Sequence, residues 1–359
     1  MSSRSDEAGE SAEAGSVGLV IVNYRTAELT KACLASLKAE HSALPGLRVI
    51  VVDGGSGDGS EQVLAKAVGQ PDYRDWVELL AVPINGGFGW ANNQAMSRFL
   101  ADPNPPEYIH LLNPDSEVEP GAVMFLVQYL EAHEHVAAVG SQLLEMDGSW
   151  TGSAFSFPTI RGEFSRGAGT GAIEKMLRVP PVAVRPTAAA EVDWATGASV
   201  MFRIEALGQV GLFDEGFFLY HEEIELMWRL RKAGWAIATE PKSRVRHVGG
   251  GSTGVHSRHV ETAVRPRRPR YWYRSRTRFF ALTRGRTAAF VAFYSWILGH
   301  GVWKIRRLAG LARNAKPVDH ELRDHLANAR PKRDDLIRAP MPALGPPSSS
   351  PAWMEKRWL

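Results

Sequence analysis

The sequence predicts an α/β protein built on a doubly wound, mostly parallel sheet with helices on both faces. Two observations carry that expectation. Short β-branched runs recur between Gly18 and Leu144, and helical patterns separate them. Strands alternating with helices at this spacing belong to a parallel sheet covered on both sides.

The elements follow in order. GLVIVNY (Gly18–Tyr24) is a buried strand by its β-branched run. Ala27–Glu40 is helical, with Leu29, Cys33, Leu34 and Leu37 on one stripe. LRVIVVD (Leu47–Asp53) is the second strand, and GGSGDGS after it is a turn. A helix follows, then a strand near Trp76–Pro83. Phe88–Leu100 is helical, Tyr108–Asn113 (YIHLLN) is a strand, and Pro120–His133 is a helix opened by proline. Val136–Leu144 is a further strand.

The totals set bounds. A chain of 359 residues holds one large α/β domain with extensions, or two domains. One cysteine, Cys33, excludes an intrachain disulfide framework and fits a reducing compartment. Residues 1–16 are polar and acidic, without the basic start and apolar core of a signal peptide, so a disordered leader is expected there. The net charge of +3 hides an asymmetry. Between Arg244 and Lys316 stand seventeen Lys or Arg and one acid, Glu261. Such a block points to an anionic partner: nucleic acid, lipid headgroups or a diphosphate.

Ligands of such sheets sit beyond the carboxyl ends of the strands. The first strand ends at Asn23–Tyr24 and the second at Asp53. NGGFGWANN (Asn85–Asn93) follows the third, and NPDSE (Asn113–Glu117) follows the fourth. All are polar or glycine-rich. The G-x-G-x-x-G fingerprint after the first strand is absent, which argues against a nicotinamide-dependent dehydrogenase. In NPDSE, Pro114 holds Asn113 extended and Asp115 and Glu117 follow together; such carboxylates suit Mg2+ or Mn2+, and equally a helix cap. Further on, FDEGFFLYHEEIELMWRLRKAGW (Phe213–Trp235) sets Phe217, Phe218 and Tyr220 before His221 and three glutamates at a helix start. Glu225 has Arg229 four residues on, a stabilising pair, while Glu223 has no cation within helical reach.

VIVNY, VIVVDGGSGDGS, NGGFGWANN, LLNPDSEVEPG, TGASVMFRIEAL, FDEGFFLYHEEIEL and RVRHVGGGST occur in the order seen in family-2 glycosyltransferases, which the chain resembles from about Val17 to Gly254. The likeness is to the rhamnosyltransferase-like branch. It implies a GT-A fold, a nucleotide-diphosphate sugar donor, Mg2+ or Mn2+, and inversion at the anomeric carbon. It implies donor contacts at Asn23, Tyr24, Asp53, Asn85, Gly87, Phe88, Asn92, Asn113 and Asp115. Asp53 would hold the nucleobase, and Asp115 with His247 would hold the metal. It implies an acceptor side at Trp194, Thr196 and Gly197, with Phe218 and Tyr220 as a floor on which a sugar ring stacks. It implies a general base among Glu222 and Glu223, with Glu223 at the motif position. Two positions depart from the family pattern. Asn113 replaces the first aspartate of D-x-D, and Glu223 stands where an aspartate is usual.

Beyond Gly254 the resemblance thins. RPRRPRYWYRSRTRFF mixes arginine with aromatics, as membrane-surface and nucleic-acid-binding segments do. Thr287–Trp303 is an uncharged, mostly apolar run of 17 residues flanked by cations, short for a span and suited to an in-plane or buried helix. The expected organisation is a leader at 1–16, a GT-A domain at 17–254, a basic, aromatic, helical extension at 255–339 and a Pro/Ser-rich tail at 340–359. The functional expectation is an inverting transferase at the cytoplasmic face of the inner membrane. It moves a sugar, rhamnose from dTDP-rhamnose by the resemblance, to a glycan or lipid-linked acceptor in envelope or polysaccharide synthesis. A UDP-hexose donor, a catalytically silent GT-A scaffold and, with least support, a nucleic-acid-binding protein are the alternatives. No nucleic-acid partner is expected, and self-association is left open.

Overall fold

The computed structural model describes residues 15–247, 267–311, 320–338 and 349–355. The boundary expected at Gly254, the leader up to residue 14 and most of the 340–359 tail lie outside the described residues.

The amino-terminal half alternates as its pattern requires: β1 (Val17–Asn23), α1 (Ala27–Ser36), α2 (Lys38–Ala43), β2 (Leu47–Asp53), α3 (Ser60–Val68), β3 (Val77–Ala81), α4 (Phe88–Leu100), β4 (Tyr108–Leu112), β5 (Ser116–Val118), α5 (Ala122–Ala132) and β6 (Val136–Leu144). The helix expected over Ala27–Glu40 is two, joined by a turn at Leu37, whose N–H donates to the Leu34 carbonyl and whose φ of −81° and ψ of −9° stay right-handed. Next come β7 (Ala154–Phe155), α6 (Ile160–Ala168), α7 (Gly171–Met176), β8 (Ala183–Val184), β9 (Ala190–Glu191) and β10 (Trp194–Ala195). β11 (Ser199–Arg203), α8 (Ile204–Val210), α9 (Glu222–Lys232) and β12 (Ala236–His247) complete the sheet domain, and α10 (Arg270–Leu308) and α11 (Glu321–Asn328) lie beyond it.

The main sheet runs β3-β2-β1-β4-β11-β6-β12-β5, with β9 added on β12. β1 to β4 are parallel, β11 runs antiparallel between β4 and β6, and β12 is parallel to β6. β10, β7 and β8 form a second, small sheet. Both faces of the main sheet are covered. Leu19, Ile21 and Val49 meet α1, α3 and α5 on one side, through residues such as Leu34, Leu64 and Leu126. Val20, Ile50 and Val52 meet α4, α8 and α9 on the other, through Trp90, Leu207 and Leu226.

This register aligns the strand ends. Asn23 pairs with Asp53 at the carboxyl ends of β1 and β2, and β4 stops at Leu112 beside β1. At the far edge β5 returns antiparallel on the end of β12, which sets Ser116 opposite His247.

The segment after β12 is not a loose appendage. α10 breaks at Gly285, whose φ of 84° and ψ of 168° are non-helical. Its first half lays Phe279 and Phe280 on Phe217 and Ile224 near the start of α9. Its second half crosses α6 closely: a Cβ on Gly299 would lie 2.1 Å from the carbonyl oxygen of Phe164, so only glycine admits this approach. Many arginines of the basic block are occupied within the protein. Arg267 pairs with Asp324, Arg268 with Glu321, Arg274 with Asp335, Arg276 with Glu163 and Arg278 with Asp214. Arg278 and Asp214 are 2% and 0% exposed, so this bond ties the extension to the loop before α9.

Candidate active site

At the carboxyl ends of β1 and β2, Asn23 donates from Nδ2 to Asp53 Oδ1 (2.7 Å), and Ser56 donates from Oγ to the same oxygen (2.6 Å) and from its backbone N–H to Oδ2 (3.2 Å). Asn23 Oδ1 accepts from Thr26 and Thr30. Asn23 and Asp53 are thus brought together and locked, with Asp53 2% exposed at the mouth of the strands. Ser56 is a partner that the sequence showed only as part of a turn. Tyr24, beside it, carries the guanidinium of Arg25 5.1 Å from its ring centroid.

The glycine loop reaches across to the aromatic one. Phe88 N–H donates to the Phe218 carbonyl (3.0 Å). Gly87 has a φ of 88°, and a Cβ there would stand 1.9 Å from that same oxygen. Asn85 accepts the Gly87 N–H, and Asn92, buried, donates to the Phe88 carbonyl. Asn92 therefore braces the helix start and points its amide at backbone.

Asn113, Asp115 and His247 form one group. His247 Nε2 lies 3.1 Å from Asp115 Oδ1 and 3.3 Å from Asn113 Nδ2. One carboxylate and one imidazole beside an amide are a donor set that would suit a hard divalent cation. No group of three His, Cys, Asp or Glu residues able to hold a metal occurs among the described residues. Asn113 in place of an acid accounts for the short count.

The catalytic candidates sit where the chain is strained. Tyr220 and His221 have φ of 70° and 71°. Left-handed non-glycine residues cost on the order of 1–3 kcal/mol each. That turn launches α9 with Glu222, Glu223 and Glu225 in its first turn. Among the described residues, the buried Oε2 atoms of Glu222 and Glu223 have no hydrogen-bond partner. Burial raises both carboxyls: Glu223 to about 7, and Glu222 well above its ordinary value, with the Glu223 charge adding to the effect there. Glu222 is 2% exposed and faces the first turn of α4, while Glu223 keeps partial exposure. Glu225, at 0% exposed, is paired by Arg229 and by Arg338.

The loop from Trp194 to Ala198 closes the arrangement. A Cβ on Gly197 would lie 3.1 Å from the Phe88 ring and 4.0 Å from Glu223 Cβ. Asn113 N–H donates to the Ala198 carbonyl (2.9 Å), so this loop bridges the Asp115 group and the glutamates. Thr196 takes the Ala198 N–H on its hydroxyl. Trp194 stacks on Phe155 at 4.4 Å. Phe218 and Tyr220 lean on Tyr271 of α10, and Phe218 also meets Trp353, whose indole donates to the Gly86 carbonyl (2.9 Å). Neither Trp353 nor Arg338 had a signal in the local sequence.

A mostly parallel sheet with the Asn23–Asp53 pair at its strand ends, the Asp115–His247 pair at a neighbouring edge and the α9 glutamates across the Gly197–Ala198 loop is the arrangement of a GT-A fold. Residues 18–185 match the sequence model of glycosyl transferase family 2, so the resemblance to that family is borne out over this span. N-acetylglucosaminyl-diphospho-decaprenol L-rhamnosyltransferase of Mycobacterium tuberculosis, found in two strains, is 33% identical over 157 residues, covering 41% of this chain and 49% of that protein. The chain spans about half the length of the curated relatives it matches. A mannosyltransferase from Pyrobaculum calidifontis, solved with GDP-Man and Mn2+, shares the fold with a TM-score of 0.51 at 16% identity, over 89% of this chain and 82% of its own.

Proposed function

We propose that the protein is an inverting glycosyltransferase that moves a sugar from a nucleotide-diphosphate donor to a hydroxyl of a lipid-linked glycan. One observation carries the reading. Glu222 and Glu223, whose buried Oε2 atoms have no hydrogen-bond partner, stand across the Gly197–Ala198 loop from the Asp115–His247 pair. The rhamnosyltransferase relative supports rhamnose as the sugar and a lipid-diphosphate-linked acceptor; dTDP-rhamnose is the donor proposed with them.

Asp53, Asn23 and Tyr24 receive the nucleoside, and the Asn85–Phe88 loop lines the path of the diphosphate. Asp115 and His247 would hold Mg2+ or Mn2+, which supplies positive charge to the departing diphosphate. Glu223 accepts the proton of the acceptor hydroxyl as that oxygen forms its bond to the anomeric carbon. The bond from that carbon to the diphosphate oxygen breaks on the opposite face, and the nucleoside diphosphate leaves with its electrons. Partial exposure lets Glu223 meet an acceptor, whereas Glu222 is shut against α4. Burial sets the Glu223 carboxyl near neutral pH, where a base works best. Trp194 and the Phe218–Tyr220 edge flank the acceptor side.

Thermal shift with a panel of nucleotide sugars and Mn2+ tests the reading. A true donor at a hundredfold over its dissociation constant adds about 2.7 kcal/mol of stability. Asp115→Asn should remove the metal-dependent part of that gain and abolish transfer. Donor affinity indifferent to both Asp115→Asn and chelator sinks the metal assignment. Tight donor binding without any transfer favours a silent scaffold.

A further inference from the structure

The second half of α10 buries one face and leaves the other bare. Ala292, Trp296 and Gly299 are buried on the side that meets α6. On the open side Val291, Tyr294, Leu298, Ile305 and Leu308 are 45%, 54%, 65%, 68% and 89% exposed. Their spacings of three, four, seven and three residues draw one stripe along the helix. At 1.5 Å per residue the stripe runs for about 25 Å.

Charge accompanies it. Arg270–Leu308 holds nine Lys or Arg and no Asp or Glu. In the first half, Arg274, Arg276 and Arg278 are spent on internal acids. In the second half, Arg286, Lys304 and Arg307 are exposed. At 100° per residue Arg286 and Lys304 fall on one angular position, along one edge of the stripe, with Arg307 beyond them. No helix among the described residues is long and apolar enough to cross a membrane.

We infer that this face lies in the plane of an anionic lipid surface, apolar stripe in the acyl boundary and cations on the headgroups. An apolar stripe with a cationic edge is the pattern of an in-plane amphipathic helix. Nucleic acid has use for the cations and none for the aliphatic stripe. A second copy of the chain would bring the same cations against one another. The inference deepens the lipid-linked acceptor reading by naming the surface on which that acceptor is met, and it rests on that reading for its use.

The test is flotation of the full chain with vesicles of phosphatidylglycerol and phosphatidylcholine, against phosphatidylcholine alone, at low and high salt. Donor turnover and sedimentation without lipid are measured on the same samples. Binding to the anionic vesicles that salt weakens is the expected result. Arg286→Gln/Lys304→Gln/Arg307→Gln should weaken it by about fivefold per cation, roughly a hundredfold in all. Leu298→Glu/Ile305→Glu should abolish it while donor turnover stays unchanged. The inference is overturned if the full chain ignores anionic vesicles at low salt, if both variants bind as well as the parent, or if the glutamate variant instead splits a dimer in lipid-free buffer. Preferential binding of oligonucleotide over vesicles also overturns it. Vesicle binding intact with no donor turnover counts against the transfer reading alone.

Discussion

Three glutamates share the first turn of α9, and their surroundings differ sharply. Glu225 is clamped by Arg229 and Arg338, and Arg229 goes on to cap the carbonyls of Val210, Gly211 and Leu212. Glu222 and Glu223 each keep one buried oxygen, Oε2, without a hydrogen-bond partner, and burial is the main cause of their raised carboxyls. An acid whose charge is neutralised on site holds the fold together. An acid left without a cation is costly to ionise, and so is ready to take a proton.

The comparison is most sharply broken at Glu223. Glu223→Gln keeps shape and removes basicity, and turnover should fall by about a hundredfold to ten-thousandfold with donor affinity retained. Glu222→Gln is the control. A dead Glu222→Gln beside an active Glu223→Gln would move the base by one residue. The opposite limb is Glu225→Ala, which leaves the buried Arg229 guanidinium without its carboxylate and the partly exposed Arg338 without its partner. It should cost about 3 kcal/mol of stability, read by denaturant unfolding, with part of the activity surviving below the melt. Should Glu225→Ala unfold nothing and silence transfer instead, the division between holding and reacting acids fails.

Titration gives the smallest effect. Glu223 must be ionised to act, so turnover should climb as pH rises toward about 7 and level off beyond it. Stability moves the other way. The folded protein holds this proton more tightly than the unfolded chain does, so its contribution is complete below the ordinary value of 4.5 and is lost as pH rises through about 7. Glu222 shifts in the same direction. Melts at pH 5 and pH 8 should therefore differ by less in Glu223→Gln than in the parent; an equal difference assigns the titration elsewhere.

Much of this was legible from local pattern. The β-branched runs marked β1, β2, β4 and β6, because a strand buried on both faces leaves a continuous apolar signature. The Glu225–Arg229 pair showed itself by its four-residue spacing. The two-residue strands β7 to β10 did not, since segments that short carry no period, and the five-residue β11 went unread too. The basic block misled in part. Its arginines read as a surface, and the acids that occupy Arg278 and Arg276 lie 64 residues away in Asp214 and far upstream in Glu163. No local rule links residues so separated. Arg338, 113 residues from Glu225, escaped for the same reason.

The bond from Trp353 to the Gly86 carbonyl joins residues 267 positions apart, the two ends of a very long closure. A ribosome adding about 5–20 residues per second makes Gly86 wait roughly 13 to 53 s for that partner. The strands of the main sheet are all synthesised by the time β12 emerges, more than a hundred residues before Trp353 does. Assembly of the sheet and closure of Trp353 onto the Gly86 loop are thus separate events in the life of each new molecule.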